Sequence, residues 1–129
     1  MNHDTAVWIQ FAEESYCAAD LLMKSRARRS LNNVICYYSQ QCVERYIKGR
    51  LTEGGANFGN SKLINLFKQT LGLVPSWRRF VDSVTTLKSH TADFLYPGHV
   101  ATRDDARAAL KICRSFRKEA RLALGLAAK

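Results

Sequence analysis

The sequence predicts an all-α fold, an antiparallel up-and-down bundle of four long helices plus one short helix. Three observations carry that expectation. Apolar residues recur at three- and four-residue steps along most of the chain, no stretch alternates with period two, and glycine and proline gather in the connecting segments. The 129 residues form one expected domain, 1–129, with no internal linker and no repeat. A chain of this size can bury roughly two thirds of the surface it exposes when unfolded, so it needs no disulfide or metal staple.

The first helix is expected from about Asp4, as N-cap, to about Arg28, with Trp8, Phe11, Ala12, Ala18, Ala19 and Leu22 facing inward. Ser30 is the expected cap of a second helix running to about Leu51. Its residues Leu31, Ile35, Tyr38, Cys42 and Tyr46 share one apolar arc, and Cys36, Val43 and Ile47 share another. Two apolar arcs make that helix the expected centre of the bundle. Glu53 to Asn60 holds three glycines and reads as a flexible loop; it follows no strand and matches no phosphate-loop pattern. Ser61 then caps a short third helix ending near Gly72.

Pro75 suits the first turn of a fourth helix, where its missing amide hydrogen would have had no partner. That helix presents Trp77, Phe80, Val81, Val84 and Leu87 and ends near Ala92, before a loop from Asp93 to Ala101 containing Pro97 and Gly98. Thr102 and Asp105 form a capping box for the fifth helix, and Gly125 stops it.

Lys and Arg number 20 against 11 Asp and Glu, a net charge of +9 that favours polyanionic partners. The four cysteines form no CxxC pair and no His lies at ligand spacing, so reduced structural thiols and no bound metal or cofactor are expected. No leader-like segment opens the chain and no run of 18 apolar residues occurs, which points to a cytoplasmic, non-membrane protein.

Two polar arrangements stand out. On the otherwise apolar second helix, Gln41, Glu44 and Lys48 lie within roughly 60° of one another with Tyr37 beside them. Glu44 precedes Lys48 by four residues, the favourable order for an ion pair, and Gln41 is placed to hydrogen-bond Glu44. This strip is read either as a structural network between helices or subunits or as the wall of a ligand pocket. On the fifth helix Arg103, Arg107, Lys111, Arg114, Lys118 and Arg121 fall within roughly 80°, with Arg117 adjoining. Like charges at this spacing disfavour an isolated helix by a few tenths of a kcal/mol per pair, roughly, so a compensating anion is expected. Asp104, Asp105 and Glu119 lie off the stripe. A phosphate backbone would supply the anion; a merely solvated face is the alternative. Lys24, Arg26, Arg28 and Arg29 form a second basic group near the end of the first helix, where they suit the helix dipole.

QQCVERYIKG, from Gln40 to Gly49, resembles the QQxxEKxxKA signature of the HEPN domain family (higher eukaryotes and prokaryotes nucleotide-binding). Ala19 to Leu22 resembles that family's first helix, Leu63 to Phe67 its short third helix, and Phe94 to Gly98 its RYPG element, so the resemblance covers nearly the whole chain. It implies a helical bundle that commonly forms homodimers and is often encoded beside a small nucleotidyltransferase, in systems of toxin-antitoxin type linked to nucleotide or RNA chemistry. Gln41, Glu44 and Lys48 correspond to the signature's polar positions, and Tyr96 and Pro97 to the later element. Leu95 stands where that element usually has arginine, and Ser61-Lys62 where many members have a histidine.

Ribonuclease members of the superfamily carry an arginine followed four to six residues later by histidine. His3, His90 and His99 have no such arginine before them, and no other acid–base pair is evident. The expected function is therefore a non-catalytic helical module, with no catalytic residue assigned, that binds a nucleotide, RNA or a nucleotidyltransferase partner. A metal-independent endoribonuclease acting as a dimer is the alternative.

Overall fold

The computed structural model describes residues 1–26, 30–92 and 100–129, of which 91 and 92 by backbone alone. Among the described residues there are five α-helices and no strand: α1 (His3–Lys24), α2 (Asn32–Glu53), α3 (Leu63–Thr70), α4 (Val81–Ala92) and α5 (Arg103–Ala123). A 3₁₀ helix, Pro75–Phe80, leads into α4.

Each end follows local chemistry, with some departures from expectation. Asn2, not Asp4, caps α1: its Oδ1 accepts from the Thr5 amide at 2.8 Å, leaving Asp4 in the first turn where its charge suits the dipole. α1 ends at Lys24, earlier than expected, with Ser25 extended; Arg28 and Arg29 lie outside the described residues. Ser30 is not the cap of α2. Leu31 precedes that helix without a side-chain cap, and its first turn is tied instead to the start of α5, since Asn33 Oδ1 accepts from the Ala101 amide at 2.7 Å. Ser61 likewise does not cap α3, because its hydroxyl donates to the Phe58 carbonyl at 2.8 Å.

The segment after Pro75 winds as 3₁₀ before relaxing to α. Residues three apart eclipse in that tighter helix. Trp77 and Phe80 are thereby aligned and buried together against Phe116, with ring centroids 4.9 and 5.3 Å away. α5 has the expected capping box, Thr102 accepting from the Asp105 amide and Asp105 accepting from the Thr102 amide. It ends in a Schellman turn: Leu126 N–H bonds the Arg121 carbonyl and Gly125 N–H the Leu122 carbonyl, with Gly125 at φ +75°.

Cross-helix contacts give the topology. Residues 2 and 5 meet Glu53, and Glu13 meets Tyr46, so α1 and α2 are antiparallel. Arg79 meets Glu119 while His90 meets Asp105, so the fourth segment and α5 are antiparallel too. The order is up, down, up, down, with α3 in the second connection. α2 is central, packing against α1, α3, α4 and α5, and Ile35, Cys36, Cys42, Val43, Tyr46, Ile47 and Leu51 are its core residues. Leu31 and Tyr38 of the expected arc are half-buried, as is Trp8 on α1. Phe11, expected inside α1, is 40 % exposed, and Thr5, Ile9 and Ser15 are buried in addition to Ala12 and Ala19. The α1–α2 approach is close at Gly49, where an added Cβ would sit 3.4 Å from Trp8 Cβ.

Candidate functional site

The basic stripe of α5 is built against α1. Arg117 Nε and Nη2 donate to Glu13 Oε2 and Oε1 at 2.7 and 2.6 Å, a bidentate pair. Tyr46 of α2 donates to Glu13 Oε2 at 2.5 Å, and Arg121 Nη1 reaches both the Tyr46 hydroxyl at 3.2 Å and Glu13 at 3.6 Å. One carboxylate from α1 thus joins three helices. Burial alone would raise its pKa, but the hydrogen bonds from Arg117 and Tyr46 and the charges of Arg117 and Arg121 outweigh it and hold Glu13 below its ordinary 4.5. Burial and the Glu13 bond push the Tyr46 phenol up.

Asp20, seven residues and two turns along α1, takes Arg114 Nη2 at 2.5 Å. The bond from Lys24 comes first among the causes that keep the Asp20 carboxyl low, against partial burial, with Arg114 adding to it. Arg103 donates to the Met23 carbonyl at 2.9 Å. Four of the seven expected cations, Arg103, Arg114, Arg117 and Arg121, therefore belong to the α1–α5 seam, where α1 supplies the carboxylates of Asp20 and Glu13 to the last three and the Met23 carbonyl to Arg103. Arg107, Lys111 and Lys118 lie on the exposed edge. Arg107 meets only Asp104 on its own helix at 3.5 Å, and neither lysine pairs with a carboxylate among the described residues.

Beside the seam, α1, the 3₁₀–α4 segment and α5 enclose an open cleft of about 730 Å³. Its walls carry Arg79, Arg114, Arg117, Lys118 and Lys129 against the carboxylate of Glu119, together with Ser83, Ser115, Tyr16 and Phe80. Arg117 lies over the Tyr16 ring at 4.5 Å and Arg79 over Phe80 at 5.0 Å. Arg79 reaches across to Glu119 at 2.8 Å, both side chains partly exposed. Sequence reasoning found the α5 side of this cleft and missed Arg79, Tyr16, Ser83 and Ser115. The available signal was Glu13 and Asp20, whose spacing sets acids on one edge of α1 with Tyr16 between them.

The strip of α2 sits at the rim of the α1–α2 packing. Glu44 and Lys48 form their ion pair at 3.8 Å, and Lys48 lies over the Trp8 ring at 5.1 Å. Gln41 is half-buried but is not joined to Glu44, whereas Tyr37 is 40 % exposed and packs edge-on against Tyr38. Arg45 adds a second cation to this rim, over Phe11 at 5.7 Å and bonded to Ser15 Oγ at 2.7 Å. The strip and the cleft do not share a residue. Tyr96, Pro97 and His99 lie outside the described residues. His90 is turned into the start of α5, with Nδ1 3.3 Å from the Asp105 carbonyl oxygen and Nε2 4.0 Å from its carboxylate.

Among the described residues no group of three or more His, Cys, Asp or Glu side chains could hold a metal, and no helix is long and apolar enough to cross a membrane. All four cysteines are free thiols; Cys17 is exposed, unlike the buried Cys36, Cys42 and Cys113. Burial lifts the Cys36 thiol to about 11.

The family model described as HEPN domain matches residues 5–122, nearly the whole chain. Searches of curated proteins and of solved structures find no match.

Proposed function

Since the chain belongs to the HEPN domain family, we propose that it is a non-catalytic helical module that binds RNA through the exposed edge of α5. The observation that carries this reading is the row Arg107, Lys111 and Lys118, which no carboxylate of another helix reaches among the described residues, with the half-exposed Arg114 beside it. Phosphates placed along that edge would relieve its like-charge repulsion and release condensed counterions. The absence of an Arg–x4-6–His pair and the engagement of His90 with α5 support binding without cleavage.

Fluorescence anisotropy of labelled single-stranded RNA tests it. Contact with about four phosphates gives a log–log salt slope of about −3, and the double substitution Arg107→Ala/Lys111→Ala flattens the slope by about 1.4. Salt-independent or undetectable binding ends the proposal, and cleavage of the RNA in EDTA would establish the endoribonuclease reading in its place.

A second surface serves assembly. The half-buried strip Gln41, Glu44 and Lys48, flanked by exposed Tyr37 and Phe11, suits a subunit contact. We place there either the homodimer or a small nucleotidyltransferase encoded alongside, as in two-component systems of toxin-antitoxin type. Light scattering of the pure protein and of Tyr37→Ala separates these cases. A dimer that Tyr37→Ala weakens supports the first, while a monomer that gains mass only with the neighbouring gene product supports the second.

A further inference from the structure

We infer that residues 126–129, which fold back over the α1–α5 seam, are an autoinhibitory strap. Closed, the strap keeps Arg117 and Arg121 out of the cationic surface; opened, it adds both guanidinium groups to the edge formed by Arg107, Lys111, Arg114 and Lys118. The inference rests on the RNA-binding reading and supplies a regulation of that same surface.

The turn at Gly125 reverses the chain, and the four residues after it run back beside α5 with little to hold them. Arg121 Nε donates to the Ala127 carbonyl at 2.5 Å, and Arg117 Nη2 to the Lys129 carbonyl at 3.0 Å. Leu126 is half-buried and packs against the core, whereas Ala127 and Ala128 have no side-chain group that could add a bond. Two backbone carbonyls and one leucine therefore oppose the entropy of ordering four residues. These are gains and costs of similar size, so the strap is poised to open.

Its cover is visible in the exposure of the arginines. Arg117 and Arg121 have 13 % and 16 % of their side chains exposed, against 50 % for Arg114. All three pair with a carboxylate of α1, so that pairing does not account for the difference. What distinguishes the first two is the strap, whose carbonyls meet their guanidinium groups. Ala128 and Lys129 also wall one end of the cleft, beside Tyr16, Arg114 and Lys118. Opening the strap thus widens the cationic surface on its α1 side.

An RNA phosphate competes well for these donors. A backbone carbonyl oxygen is neutral, whereas a phosphate carries a full charge and can accept two parallel bonds from one guanidinium. Arg121 gives Nε to the strap and Nη1 to Tyr46, so displacing Ala127 frees its Nε edge. Arg117 keeps both bonds to Glu13 and gives up only the Lys129 carbonyl. The seam therefore stays intact while the strap opens.

Leu126→Gly unpins the strap and leaves every cation in place, and two measurements compare it with the wild type. In the first, p-hydroxyphenylglyoxal modifies arginines in the native proteins and mass spectrometry maps them. Arg121 is expected to react at least ~3-fold faster in Leu126→Gly. Arg103, at the opposite end of the seam on Met23, reacts at an unchanged rate. In the second, fluorescence anisotropy with labelled single-stranded RNA is expected to show at least ~3-fold tighter binding by Leu126→Gly at low salt. The log–log salt slope steepens by about 0.7 to 1.4, one or two additional phosphates. An unchanged Arg121 rate, or a rise shared by Arg103, overturns the strap. RNA that the wild type binds and Leu126→Gly binds no more tightly overturns the autoinhibition and leaves the RNA-binding reading standing. Absence of RNA binding by both proteins ends that reading and the inference with it.

Discussion

Replacing Glu13 by alanine should be among the most damaging single polar substitutions in this protein. Its carboxylate accepts two bonds from Arg117 and one from Tyr46, and lies 3.6 Å from Arg121. Arg117 has only 13 % of its side chain exposed and Tyr46 is fully buried, so neither can recover its lost partner from bulk water. Hydrogen bonds to charged groups contribute about 1.5–3 kcal/mol each but do not add, and breaking a buried pair costs about 3–5 kcal/mol. Glu13 itself is 29 % exposed, which scales the expected loss down to about 2–3 kcal/mol.

Urea unfolding followed by circular dichroism reads this as a lowered midpoint at constant m. The double substitution Glu13→Ala/Arg117→Ala should lose clearly less than the sum of the single ones. The pH dependence has a definite sign. Glu13 has a folded-state pKa below its ordinary 4.5, so its contribution is present above that value and disappears as pH falls through the folded pKa. The wild type should therefore lose stability faster on acidification below about pH 4.5 than Glu13→Gln does. A loss under about 0.5 kcal/mol, or additive single and double substitutions, would refute the view that this carboxylate joins the three helices.

Phe116→Ala should cost about 3–5 kcal/mol in the same unfolding assay, because the ring is fully buried and meets Trp77, Phe80 and Phe67 in the core. Thiol labelling with a chromogenic disulfide should modify one cysteine quickly in the native protein, Cys17, and the other three only after unfolding. Rapid native labelling at Cys36, Cys42 or Cys113 would contradict the close packing of α2 against α5.

Periodicity predicted the helices well because each has a continuous apolar face, and α2 was identifiable as central because it has two. The capping box at Thr102 and the stop at Gly125 were legible for a related reason, since both depend on residues within a few positions of each other. The misread ends are at Ser30, whose hydroxyl only reaches the Asn32 amide at 3.5 Å while the start of α2 is anchored through Asn33, and at Ser61, where a competing bond took the hydroxyl. Asn33 reaches the amide of Ala101, 68 residues away, and Ser61 turns back to Phe58. Phe11 was placed on the inner face with Trp8, Ala12 and Ala19, whereas the face that α1 buries is centred on the small residues Ala12, Ser15 and Ala19, which lets α2 and α5 approach.

The stripe of α5 shows most clearly what spacing can and cannot convey. Projected at 100° per residue, Arg117 falls at roughly −40°, Arg103 and Arg121 near 0° and Arg114 at roughly 20°, while Arg107, Lys118 and Lys111 follow at roughly 40°, 60° and 80°. The structure divides the row along that same order: the first four meet α1 and the last three face outward. A helix's own sequence gives the angular order of its cations but not the angle at which a neighbour's carboxylates arrive. That angle is set here by Glu13 and Asp20, two turns apart on an antiparallel helix. The cations therefore have two functions. Those on the inner edge fix how α1 lies on α5, and the rigidity they confer holds Arg114 at the mouth of the cleft, where the outer edge begins. Loosening the seam should in consequence cost stability without removing any exposed cation, so Glu13→Gln is expected to lower the urea midpoint while RNA binding through Arg107, Lys111 and Lys118 keeps its salt slope.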